Sequence, residues 1–110
     1  MITEQKQNYI IVKDEKEDVT EFANYLKRIQ DRFSTQNVAV DLLKYGELTL
    51  QELLEFLKLS NSHRKQGQSF VIVNDTINID TVPEEINVVP TLQEAEDLIG
   101  LEDMERDLGF

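Results

Sequence analysis

Apolar positions recur at two different periods along this chain, and the change of period marks its elements. Tyr9-Ile10-Ile11-Val12 is a short, β-branched apolar run and predicts a buried strand. Met1 to Gln5 predicts a partner strand joined through Lys6-Gln7-Asn8, although only Ile2 alternates. Val19, Phe22, Ala23, Leu26, Ile29 and Phe33 fall at steps of three and four, so residues 18–33 predict an amphipathic helix. Asp18 is its N-cap, with Glu21 three residues later. Lys27, Arg28, Asp31 and Arg32 lie on the opposite, solvated face.

Val38-Ala39-Val40-Asp41-Leu42-Leu43 is apolar without alternation, as in a strand covered on both faces. A turn at Lys44-Tyr45-Gly46-Glu47 leads to a helix from about Leu50 to Gln66, with Leu50, Leu53, Leu54 and Leu57 inward. His63, Arg64 and Lys65 occupy its last turn, where cations suit the negative end of the dipole. His63 is therefore expected at the surface. Gly67 is placed to be the C′ residue. Phe70-Val71-Ile72-Val73 completes a βαβ unit, which predicts parallel strands. After a polar loop at 74–85 come a short strand, Ile86 to Val89, and a helix over about 92–99 that Gly100 should stop. The ending LEDMERDLGF predicts one more short helix. The sum is a single α/β domain with a mixed sheet and helices mainly on one face.

The tetrapeptide TLQE occurs twice, at Thr49–Glu52 and Thr91–Glu94, each time where a turn gives way to a helix. A threonine followed three residues later by glutamate before an apolar run is a capping box. The flanks YGE and VVP before, and LLEFL and AEDLI after, do not align, so the match is local grammar rather than a repeat. Leu50 and Leu92 are expected to turn inward at the first helical position.

Charge narrows the partners. Residues 1–66 hold eleven acids and ten bases, a net of −1, whereas residues 67–110 hold eleven acids and Arg106 alone, a net of −10. Such a surface repels phosphate backbones and anionic lipid, which argues against nucleic-acid and membrane partners. It is either a solvated acidic surface or one that docks a basic protein. No apolar run has signal-peptide or membrane-span length, so a cytoplasmic location is expected.

Catalytic constellations are missing. There is no cysteine, which removes disulfides, thiol catalysis and thiolate metal sites, and one histidine with no G-x-S-x-G elbow leaves no credible serine triad. None of the four glycines belongs to a phosphate-cradling loop. No metal, cofactor or enzymatic activity is expected. Asp41, at the C-terminal end of a strand, stands where α/β proteins place functional groups, although a strand-end carboxylate more often caps a nearby loop.

The stretch NVAVDLLKYGELTLQELLEFLKLSNSHRKQGQSFVIVND, residues 37–75, with VVPTLQEAEDLI at 88–99, resembles the STAS domain family, named for sulfate transporters and anti-sigma factor antagonists. The resemblance covers about half the chain and implies a STAS-like fold and a partner-binding function. Anti-sigma factor antagonists switch by phosphorylation of a serine in a D-S-S-G-like turn. The matching positions here are Thr49, Leu50, Gln51 and Glu52, where Leu50 and Gln51 lack a hydroxyl and Thr49 is the helix cap. The resemblance thus implies protein binding without that phosphate switch. The implied surface is the turn Tyr45, Gly46, Leu48, Thr49 and Leu50 with its neighbour Asp41. A homodimer is among the assemblies this allows.

The chain, and especially its ending, also resembles small bacterial proteins that carry the label ribonuclease Z. A true ribonuclease Z is a zinc enzyme with an H-x-H-x-D-H motif, which a chain with His63 alone cannot be. An enzyme or enzyme accessory in RNA processing, or a small-ligand module near Asp41, stays open at this point. The last candidate element is the tail. Leu101, Met104 and Leu108 fall at helical steps, and Gly109 frees Phe110 from the helix axis. This stripe is expected to pack on the domain's own sheet or helices; if it does not, Leu108 and Phe110 belong to a partner-binding arm.

Overall fold

The apolar, β-branched runs pair side by side into one sheet. The computed structural model describes residues 1–15 and 17–109. Five strands, β1 (Ile2–Gln5), β2 (Ile10–Lys13), β3 (Val38–Asp41), β4 (Phe70–Val73) and β5 (Asn87–Val89), lie in chain order across it. β1 runs antiparallel to β2, and all other neighbours are parallel, so the sheet is mixed. The β1–β2 hairpin is the one expected from Lys6-Gln7-Asn8, closed by the Lys6 amide donating to the Tyr9 carbonyl at 2.8 Å. Because strand side chains alternate, the register sends Ile10, Val12, Val38, Val40, Phe70 and Ile72 to one face. Tyr9, Ile11, Ala39, Val71 and Val73 go to the other.

Helices cover both faces. α1 (Val19–Ile29), α2 (Leu50–Leu54) and α3 (Leu57–Lys65) pack on the first through Val19, Phe22, Leu26, Leu53, Phe56 and Leu59. The longest, α4 (Leu92–Asp107), lies on the second through Ala95 and Ile99. Among the described residues the helices are thus mainly on one face, with α4 opposite. The radius of gyration, 13.0 Å, is that of one compact domain of about this length.

Several boundaries differ from those the pattern predicts. The first helix tightens into a 3₁₀ turn at Gln30–Phe33. The second breaks at Glu55–Phe56, where Phe56 turns fully inward against Phe22, edge to face at 6.5 Å between ring centres. α2 has only five residues, so Leu50 at its first position stays 36% exposed rather than turning to the core. Gly100 does not stop the last helix, which runs unbroken to Asp107 in place of two short ones.

The caps are where the sequence puts them. The Asp18 carboxylate accepts from the Glu21 amide at 3.1 Å. Thr49 forms the full capping box, its hydroxyl oxygen accepting from the Glu52 amide while Glu52 accepts from the Thr49 amide at 3.0 Å. At Thr91 the hydroxyl oxygen accepts from the Glu94 amide at 3.1 Å, but the Glu94 carboxylate accepts from the Thr91 hydroxyl at 3.2 Å rather than from its amide, so this cap is not the reciprocal box expected. Gly67, at φ +82°, is the C′ residue of α3. Its amide donates to Arg64 and that of Gln68 to His63, the two bonds of a Schellman end.

Candidate functional site

Polar side chains collect at the two ends of the sheet. At the C-terminal end, Asn74 follows β4 and is buried. Its amide nitrogen donates to the Leu42 carbonyl at 3.1 Å, and its oxygen accepts from the amides of Thr76 and Ile77. Thr76 in turn accepts from the Leu48 amide at 3.2 Å. This ties the turn after β3 to the turn after β4, so the predicted surface has a fixed shape. Its members divide. Asp41 is buried and accepts from the Leu43 amide at 3.0 Å, the local loop-capping role. Leu48 is core. Tyr45 is half-buried and donates its hydroxyl to the Asp14 carboxylate at 2.5 Å. Burial, and then the bond to Asp14, raise the Tyr45 pKa, so its proton stays on throughout the physiological range. Gly46, Thr49 and Leu50 are left on the outside.

Beside the Tyr45–Asp14 bond opens a cavity of about 470 Å³ whose lining includes Asp14, Glu15, Asp18, Glu21, Phe22 and Arg28. Its lining is mainly acidic, with one guanidinium. Among the described residues, no three histidine, aspartate or glutamate side chains converge to hold a metal ion.

The N-terminal end of the sheet carries the denser network. Asn37, just before β3, is buried. Its amide nitrogen donates to the Asn8 carbonyl at 2.9 Å and to the Asp103 carboxylate at 3.0 Å. Its oxygen accepts from the Ser69 amide at 2.8 Å and from Arg106 at 3.2 Å. Arg106 also donates to Ser69 Oγ and Asp103, and the Asn8 side chain donates to Asp103 at 3.0 Å. Burial pushes the Asp103 carboxyl up, but the bonds from Asn8, Arg106 and Asn37 outweigh it, so the group sits below the usual aspartate range. This clamp fastens the C-terminal half of α4 to three strand starts. It opposes the fraying that Glu105 and Asp107, acids at a helix C-terminus, would otherwise promote.

His63 is not at the surface. It is 2% exposed, lies edge-on to Phe70 and donates Nε2–H to the Gln36 carbonyl. Burial depresses its pKa, so the ring is neutral and contributes nothing to the α3 dipole.

The clamp fixes the rotation of α4, and that decides the fate of the tail stripe. Asp103 and Arg106 face the N-terminal end of the sheet, so Leu101, Met104 and Leu108 face away from it, 52%, 62% and 69% exposed. The expectation that they pack on the domain's own sheet or helices is wrong. Phe110 lies outside the described residues. Sequence reasoning also missed Asn37 and Asn74. The available signal was an asparagine directly flanking an uninterrupted apolar strand, where a buried amide can satisfy neighbouring backbone. No protein-family model matches the sequence, and no curated protein is similar enough to stand as a relative.

Proposed function

We propose that this chain is a non-catalytic protein-interaction domain of STAS-like type that docks its partner on the outer face of α4. The carrying observation is the stripe Leu101, Met104 and Leu108, three large apolar side chains turned to water on one helix face. A contiguous exposed apolar patch with a polar rim is the signature of an interaction site. Anchors at i, i+3 and i+7 are what a partner helix reads. The other surface, Gly46, Thr49 and Leu50, offers one partly exposed leucine and is the weaker of the two. Nothing in the reading requires a phosphate switch at Thr49, whose hydroxyl is held in the helix cap.

The test compares the wild-type chain with Leu101→Ser/Met104→Ser/Leu108→Ser as baits in native extract, after their urea midpoints are shown to agree. A protein recovered by the wild type and lost with the variant supports the reading. Identical recovery by both sinks it.

A further inference from the structure

Resting on that reading, we infer that the segment docking on α4 is a basic amphipathic helix. At about 100° per residue, Leu101, Met104 and Leu108 occupy a sector roughly 60° wide. Asp97 lies one turn before Leu101 in the same sector, Glu94 and Glu105 flank it on one side, and Asp107 flanks it on the other. All four carboxylates are exposed. The one cation of the helix, Arg106, is turned inward onto Asn37, Ser69 and Asp103. The outer face therefore presents an apolar stripe framed by negative charge with no basic group of its own.

That frame selects the occupant. A segment covering the stripe brings its flanks against the carboxylates, so lysine or arginine there is matched, whereas aspartate or glutamate is repelled. A second copy of this chain is disfavoured for the same reason, since a self-complementary contact would set the acidic rims against one another. An extended strand is disfavoured because a helix interior has no unpaired backbone groups to extend a ladder. Helix against helix remains, with apolar residues spaced to meet three anchors spanning about 10 Å.

The experiment uses two synthetic helical peptides of about 18 residues, long enough to hold helix. Both carry leucine on one face. One has lysine on the other face and the second has glutamate. Each is titrated by fluorescence anisotropy against the full chain, the triple-serine variant, and Glu94→Gln/Asp97→Asn/Glu105→Gln/Asp107→Asn. The lysine peptide should bind the wild type and weaken roughly tenfold or more with either variant, and should weaken again as salt rises from roughly 0.05 M to 0.3 M. The glutamate peptide should not bind. Equal binding of the two peptides, or lysine-peptide binding that ignores the serine substitutions, overturns the inference. So does a wild-type dimer in sedimentation that the serine variant converts to monomer. If extract recovery depends on the stripe but the lysine peptide does not compete, the docking reading stands and the basic-helix inference falls. If recovery is also independent of the stripe, both fall.

Discussion

Replacing Asn37 by alanine should be among the most damaging single changes in this protein outside its apolar core. The side chain is buried and serves both ends of its amide. Its oxygen is the acceptor for the Ser69 amide at 2.8 Å, in a fully buried bond. Stranding that amide costs about 1–3 kcal/mol. Its nitrogen serves the part-buried Asn8 carbonyl at 2.9 Å, worth about 0.5–1.5 kcal/mol. Asp103 keeps Arg106 and the Asn8 side chain, and Arg106 keeps Ser69 Oγ, so their losing Asn37 adds little. The expected total is about 2–4 kcal/mol, the lower figure applying where water fills the vacated space. For a domain near 100 residues this is a Tm fall of roughly 10–20 °C. Urea unfolding at constant m-value measures it directly. Asn37→Asp should be at least as harmful, since it removes the donor and sets a second carboxylate against Asp103. A cycle with Asp103→Ala should show coupling of about 0.5 kcal/mol or more, because the pair is in contact. A cost for Asn37→Ala below about 0.5 kcal/mol, together with additive double mutants, would refute the clamp as the device that holds α4.

Other expectations follow from the same contacts. Thr49→Ala and Thr91→Ala should each lose about 0.5–2 kcal/mol in urea melts, with Thr→Ser nearly silent; Thr49 should be the costlier because its box is reciprocal. His63 is neutral when folded and its pKa is depressed, so its contribution is intact above the unfolded value of 6.5 and is lost as pH falls from there toward the folded value. His63→Gln keeps a donor for the Gln36 carbonyl without a titrating group, so wild-type stability should fall more steeply than the variant's between about pH 7 and pH 5, and parallel slopes would exclude this. Gly67→Ala should cost about 1 kcal/mol from its φ of +82°, although a Cβ there meets no neighbour within 4 Å.

What the sequence made legible was whatever is decided locally. Strand cores follow from β-branched runs, and helix starts from Asp18, Thr49 and Thr91, because a cap is satisfied within four residues. Gly67 was readable for the same reason. What escaped depends on residues far apart in the chain. Gly100 costs a helix about 1 kcal/mol relative to alanine, which locally favours a stop. Ala95 and Ile99 pack on the sheet before it, and Asp103 and Arg106 are clamped to the strand starts after it, so α4 runs through. Tertiary contacts outweigh a local cost of that size. His63 in a last turn reads as a surface cation until the 3₁₀ turn at Gln30–Phe33 brings the Gln36 carbonyl over it. The candidate turn Tyr45–Leu50 was placed correctly in the fold, yet its availability was not legible, because Asn74 and Asp14 engage it from other elements.

The division of labour on α4 bears on how tightly it would hold the partner proposed for it. Polar bonds fasten its C-terminal half, so Leu101, Met104 and Leu108 are not needed to keep the helix in place and remain available. Full burial of such a side chain yields about 1.5–3 kcal/mol, and half to two thirds of each is still in water. The stripe can therefore release about 3–6 kcal/mol on being covered. Association itself costs about 4–15 kcal/mol in lost freedom. Apolar contact at these three positions is thus at best comparable with the cost of bringing the partners together. A stable complex needs a further term, and the charges nearest to hand are Glu94, Asp97, Glu105 and Asp107 around the stripe. Their contribution requires opposite charge on the partner and weakens with salt. Under the proposed docking, apolar anchoring and acidic rim are two parts of one site, and removing either should bring affinity down to the level of loose encounter.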